Sequence, residues 1–82
     1  GMIEKNSPEH EILSALCAMA RPVRSMSEAV LLRKFRSSRA IHNLASQGFI
    51  RLRGWSDGPG GVWVPTPEGE NLLIESTAAD IA

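Results

Sequence analysis

The chain has 82 residues, 43% apolar and 22% charged, which suits one small folded domain (residues 2–82) and excludes a disordered segment. No apolar run approaches the ~20 residues of a membrane span and no signal-peptide layout is visible, so a cytoplasmic protein is expected. The formal net charge of zero hides a polarised chain. Eight of the nine basic side chains lie between Arg21 and Arg53 with Glu28 as the only acid, giving that stretch +7 and the remainder −7. A local block of this kind is an electrostatic footprint for a polyanion.

In chain order, Ser7-Pro8-Glu9 predicts a helix start: a serine N-cap, proline at the first helical position and a carboxylate in the first turn. Ile12, Leu13, Leu16, Cys17 and Ala20 follow at helical spacing, and Arg21-Pro22 is expected to end the helix. Cys17 is the only cysteine, which excludes an intrachain disulfide and a multi-cysteine zinc site. Its neighbours predict a buried, inert thiol. Val23 and Arg24 leave room for a very short extended segment. Ser25 and Glu28 then have the spacing of a capping box, opening a helix that runs to about Phe35. That helix is apolar over most of its circumference, which predicts a central, well-covered position.

After a break at Ser37 or Ser38 the pattern is again amphipathic. Ala40, Ile41, Leu44 and Ala45 fall on one face of a helix over about 38–47, and Arg39, His42, Asn43 and Ser46 on the other. Gly48 is placed to stop it. From Ile50 the period changes from helical to alternating. Ile50 and Leu52 mark the buried face of a strand, and Arg51, Arg53 and Trp55 the opposite one, where Trp55 could stack on the arginines. Residues 56–61 read as a loop, and Val62-Trp63-Val64 completes a hairpin over about 49–65. Trp63 fits either the core or a partner-facing surface. Thr66-Pro67-Glu68 repeats the first helix start and opens a last helix over about 67–77.

Two helices joined by a tight turn and followed by a hairpin form a helix-turn-helix unit whose second helix would lie in the DNA major groove. Its outer face offers Ser38, Arg39, His42 and Asn43, types suited to base edges. Lys34, Arg36 and Ser37 would meet the sugar-phosphate backbone, as would Arg51 and Arg53 at the base of the hairpin. Arg21, Arg24 and Arg33 are expected to face elsewhere and to serve solubility.

The run Ser38-Arg39-Ala40-Ile41-His42-Asn43-Leu44-Ala45-Ser46-Gln47-Gly48-Phe49-Ile50, followed by Arg51-Leu52-Arg53, resembles the winged helix-turn-helix family. The likeness is to small bacterial transcriptional regulators of the MarR and PadR type. It continues through Val62-Trp63-Val64-Pro65-Thr66-Pro67-Glu68-Gly69 and covers roughly residues 8–75. The resemblance implies a mostly helical α+β fold: a three-helix bundle with a β-hairpin wing and a C-terminal helix, binding double-stranded DNA through residues 38–47. Two features depart from the family. The hairpin tip, Asp57-Gly58-Pro59-Gly60-Gly61, is acidic where MarR-type wings carry an arginine, and the long flanking dimerisation helices are missing. If a homodimer forms, the first and last helices are the surfaces available to it.

The alternative is a winged-helix module that binds protein and not DNA. Exposed Trp55 or Trp63 would favour it, whereas a contiguous basic surface joining Arg36, Arg39, Arg51 and Arg53 would favour DNA. Single-stranded nucleic acid is a weaker option, because an aromatic content of 5% supplies few stacking platforms. No enzyme, cofactor or metal is expected. His10 and His42 are far apart, and Gly58–Gly61 lacks the Gly-Lys-Ser/Thr ending of a phosphate-binding loop.

Overall fold

The computed structural model describes Glu4, residues 6–53 and residues 61–81, with side chains described as far as residue 76. Four helices and three strands follow in the order α1 (Pro8–Ala18), β1 (Met26–Ser27), α2 (Glu28–Phe35), α3 (Ser38–Ser46), β2 (Ile50–Arg53), β3 (Val62–Pro65) and α4 (Pro67–Ile81). The strands form one antiparallel sheet in the order β1-β3-β2. The fold is a small, mostly helical α+β arrangement.

α1 begins as its residues dictate. The Ser7 hydroxyl accepts the His10 N–H at 3.2 Å, Pro8 occupies the first turn, and Glu9 and Glu11 face the positive end of the helix dipole. Ile12, Leu13 and Leu16 are fully buried, and α1 touches α2, α3, α4 and β3, which makes it the central element. It ends at Ala18, short of Arg21-Pro22, because Met19 turns extended and closes the helix with its N–H on the Leu16 carbonyl. The Met19 carbonyl then receives the Arg24 Nε–H at 2.8 Å, so a side chain satisfies a backbone acceptor that the helix leaves behind.

The start of α2 corrects the capping box expected at Ser25. Ser27 is the cap, its hydroxyl accepting the Val30 N–H at 3.3 Å. Met26 and Ser27 are taken up by β1, where they pair with Trp63 and Val62. One extended residue thus serves as both strand end and helix cap. Glu28 is consequently released from capping, and its carboxylate accepts the Trp63 indole N–H at 3.2 Å. α2 is also less enclosed than its composition predicts: Leu31 is buried and Leu32 and Phe35 pack partly against the core, but Ala29, Arg33 and Lys34 are exposed. A helix of 8 residues packed on one side leaves the rest of its circumference to water.

α2 and α3 are joined by Arg36 and Ser37 alone. Arg36 takes a left-handed conformation (φ 56°, ψ 34°), with its N–H on the Leu32 carbonyl at 2.8 Å, and Ser37 caps α3 by accepting the Ala40 N–H at 3.1 Å. Ala40, Ile41 and Leu44 are buried as the amphipathic pattern predicts. α3 closes with paired reverse bonds, Gly48 N–H to Ala45 and Phe49 N–H to Leu44, around Gly48 at φ 81°. This is a Schellman ending, and it needs glycine for its left-handed φ.

In the sheet Ile50 pairs with Pro65, Arg51 with Val64, Leu52 with Trp63 and Arg53 with Val62. Ile50, Leu52 and Trp63 therefore share one face, and Arg51, Arg53 and Val64 the other. Trp63 belongs to the core at 8% exposure. Leu52 does not, at 52%, because its edge-strand position lies beyond the cover of the helices. The loop over 56–60, the acidic hairpin tip and the stacking expected of Trp55 lie outside the described residues.

α4 opens at Thr66 and continues to Ile81, past the end near residue 77 that its fading apolar pattern predicts. Leu72 is buried against α1 and the sheet, Leu73 is partly buried, and Ile74 is 63% exposed. Among the described residues no helix is long and apolar enough to cross a membrane.

Candidate nucleic-acid interface

The outer side of α3 is built by the same periodicity that buries its inner side. Ser38, Arg39, His42 and Ser46 are exposed, as are Lys34 and Arg36 just before the helix. The first turn of α3 carries no acid, so no carboxylate of its own helix offsets the positive end of its dipole, although the Ser37 hydroxyl already accepts one of its first amides, that of Ala40. Such an end attracts a phosphate. Ser37 is half-buried, and its oxygen is engaged with the Ala40 N–H while its proton remains available for donation.

Asn43 is placed differently from its neighbours. It is partly buried, and its Nδ2 donates to Glu9 Oε2 on α1 at 3.1 Å. A bidentate contact to adenine needs both the amide nitrogen and the amide oxygen. Asn43 would have to leave Glu9 to make one. Glu9 also puts a carboxylate beside Asn43 on α3.

Arg51 and Arg53 are exposed on the sheet face opposite Ile50. There they line a cleft of about 300 Å³ together with Arg21, Pro22, Arg24, Val64, Pro65 and Glu70. Arg21 and Arg24 lie away from α3 as expected but do more than serve solubility: both donate to Glu70 Oε2, at 2.7 and 2.5 Å. Arg53 lies 3.4 Å from the Ser25 hydroxyl. No residue of α3 lines the cleft. Of the arginines assigned to solubility, Arg33 alone is exposed without a described partner.

The local electrostatics follow from these contacts. Desolvation pushes the Glu70 carboxyl up, but the hydrogen bonds and positive charge of Arg21 and Arg24 more than offset it, holding it below the ordinary carboxylate range. Cys17, partly buried and free, is held above the usual thiol value by burial, with Arg24 opposing and Glu70 assisting. It is therefore a protonated, weakly nucleophilic thiol at neutral pH.

Glu70 and its two arginines escape a reading of local spacing because 49 and 46 residues separate the partners. The signal that pointed toward them was the density of charge between Arg21 and Arg53. The chain matches no protein-family model, and a search of curated proteins finds no significant relative.

Proposed function

We propose that the protein is a winged helix-turn-helix regulator of transcription that binds double-stranded DNA, with α3 in the major groove. The observation that carries this reading is the outer side of the α2–α3 unit. A two-residue turn presents Lys34, Arg36, Ser38, Arg39 and His42 to solvent around a helix start free of acid. The element order and the β1-β3-β2 sheet are consistent with a helix-turn-helix followed by a wing. In this reading Arg39 and His42 contact base edges, Asn43 joins them on leaving Glu9, and Lys34, Arg36 and Ser37 hold phosphates. Arg51 and Arg53, expected to extend the phosphate contacts at the wing base, line a cleft that no α3 residue enters, and the α3 reading stands without them.

The second reading, a protein-binding module, draws support from Leu52, an exposed apolar side chain on an edge strand. It loses the support that an exposed Trp63 would have given it. Titration with random duplex DNA over a salt series separates the two. DNA binding predicts affinity that falls steeply with salt as phosphate contacts release counterions. It also predicts that Arg39→Ala weakens a selected site more than random duplex. Absence of duplex binding at low salt would replace this reading with the protein-binding one.

A further inference from the structure

Four guanidinium groups line the sheet-face cleft. Arg21 and Arg24 arrive from the segment between α1 and β1, and Arg51 and Arg53 from alternate positions of β2. Glu70 is the single acid among the lining residues, so the cleft keeps a formal charge of +3. Both ion pairs of Glu70 use the same oxygen, Oε2, on Arg21 and Arg24. Among the described residues Arg51 has no carboxylate partner, and Arg53 has only the hydroxyl of Ser25. Val64, 7% exposed, and Pro65 also line the cleft. Low-polarity walls strengthen the field of the charges above them.

We propose that this cleft is a binding site for a small phosphate-bearing molecule, whose phosphate is held by Arg51 and Arg53 with Arg24, and whose organic part rests on Val64 and Pro65. Guanidinium forks match phosphate oxygens in bidentate geometry, which is why several arginines around one concavity select phosphate over a monovalent anion. A volume of about 300 Å³ stands at the lower end of small-ligand sites. The concavity, and the lack of any α3 residue in its lining, favour a small ligand over the backbone of a duplex seated on α3. Glu70 acts here as an internal competitor, occupying Arg21 and Arg24 until the phosphate arrives. The proposal does not depend on the DNA reading.

The test is titration of the full chain with inorganic pyrophosphate at constant ionic strength, followed by NMR of the arginine Nε–H groups. Saturable shifts with a dissociation constant below about 1 mM are expected. Arg51→Gln and Arg53→Gln, both outside the core, should each weaken binding by about tenfold or more. Arg33→Gln, which removes the same charge from α2, should leave it unchanged. Glu70→Gln should bind pyrophosphate roughly fivefold more tightly, because it removes the competing charge. If that variant fails to fold, the two β2 variants decide. Lack of saturation by about 10 mM, or equal affinity in the β2 variants and the native protein, would overturn the proposal. So would a result in which the β2 variants weaken duplex DNA binding while the native protein ignores pyrophosphate. The arginines would then belong to a duplex surface.

Discussion

The Thr66 hydroxyl donates to the carbonyl of Gly48 at 2.6 Å, tying the start of α4 to the residue that ends α3. The same oxygen accepts the Gly69 N–H at 3.1 Å, and the Thr66 N–H donates to the Phe49 carbonyl. One buried side chain therefore caps one helix and satisfies the end of another. Thr66→Val, which preserves shape, strands a carbonyl and an amide at once and should cost about 2–3 kcal/mol of stability. Thr66→Ser should recover most of it. Urea denaturation of the three proteins measures the difference, and an unchanged midpoint for Thr66→Val would show that water replaces the hydroxyl.

Gly69 occupies a helix position where alanine is ordinarily better by about 1 kcal/mol. Here a Cβ would collide with the Phe49 carbonyl oxygen and press within 3.2 Å of Leu13 Cδ2. Backbone cannot swing aside as a side chain can. Gly69→Ala is expected to destabilise by about 1–3 kcal/mol, the range for overpacking, and thermal unfolding reads the sign directly.

Arg36 is a non-glycine residue held left-handed in the turn before α3. The conformation costs about 1–2 kcal/mol, and glycine would relieve it at about 0.5–1 kcal/mol of added chain entropy. Arg36→Gly should therefore stabilise the fold by roughly 0.5–1 kcal/mol. If the guanidinium meets phosphate, the same variant should bind duplex DNA more weakly. Stability and affinity moving in opposite directions would separate the arginine's two roles, whereas affinity that stays constant would remove it from the interface.

Glu70 gives the acid limb of stability a defined sign. Its folded pKa lies below the ordinary glutamate value of about 4.3, so the unfolded chain binds the proton first as pH falls. The stabilisation is complete above the ordinary value and disappears as pH drops through the folded one. Glu70→Gln should thus be less stable than the native protein near pH 7, and the gap should narrow as pH falls below the ordinary glutamate value of about 4.3 and close as it drops through the lower folded one. Denaturation curves across this range check it. A gap that does not change with pH would assign the loss to packing and not to the ion pairs.

The Glu9–Asn43 bond supplies a test of the α3 face itself. Glu9→Gln removes the carboxylate beside Asn43 and loosens the hold on that residue. Duplex affinity at low salt should rise by a few-fold, roughly the effect of one partly screened charge. Unaltered affinity would place the DNA surface away from α1.

Much of this architecture is legible in local chemistry. Ser7-Pro8, Ser37 and Thr66-Pro67 announce helices because a cap needs only its own next three residues, and Gly48 ends α3 for an equally local reason. Distant partners decide the remainder. Ser27 displaces Ser25 as a cap because β1 pairs with β3, and Leu52 is exposed because β2 lies at an edge. On the α3 face, Ser38, Arg39 and His42 follow from periodicity alone. Asn43 departs from it through Glu9, 34 residues away. Glu70 is drawn into the arginine cleft in the same fashion, by a return of the chain that no spacing encodes.

The bond from the Trp63 indole to Glu28 joins the middle strand of the sheet to the first residue of α2. It makes Trp63 a natural optical probe. With Trp55 replaced by phenylalanine, the emission of this one indole reports whether the hairpin remains seated on the helical bundle. Any ligand that lifts β3 from α2 would announce itself as a red shift, with no label attached to the protein.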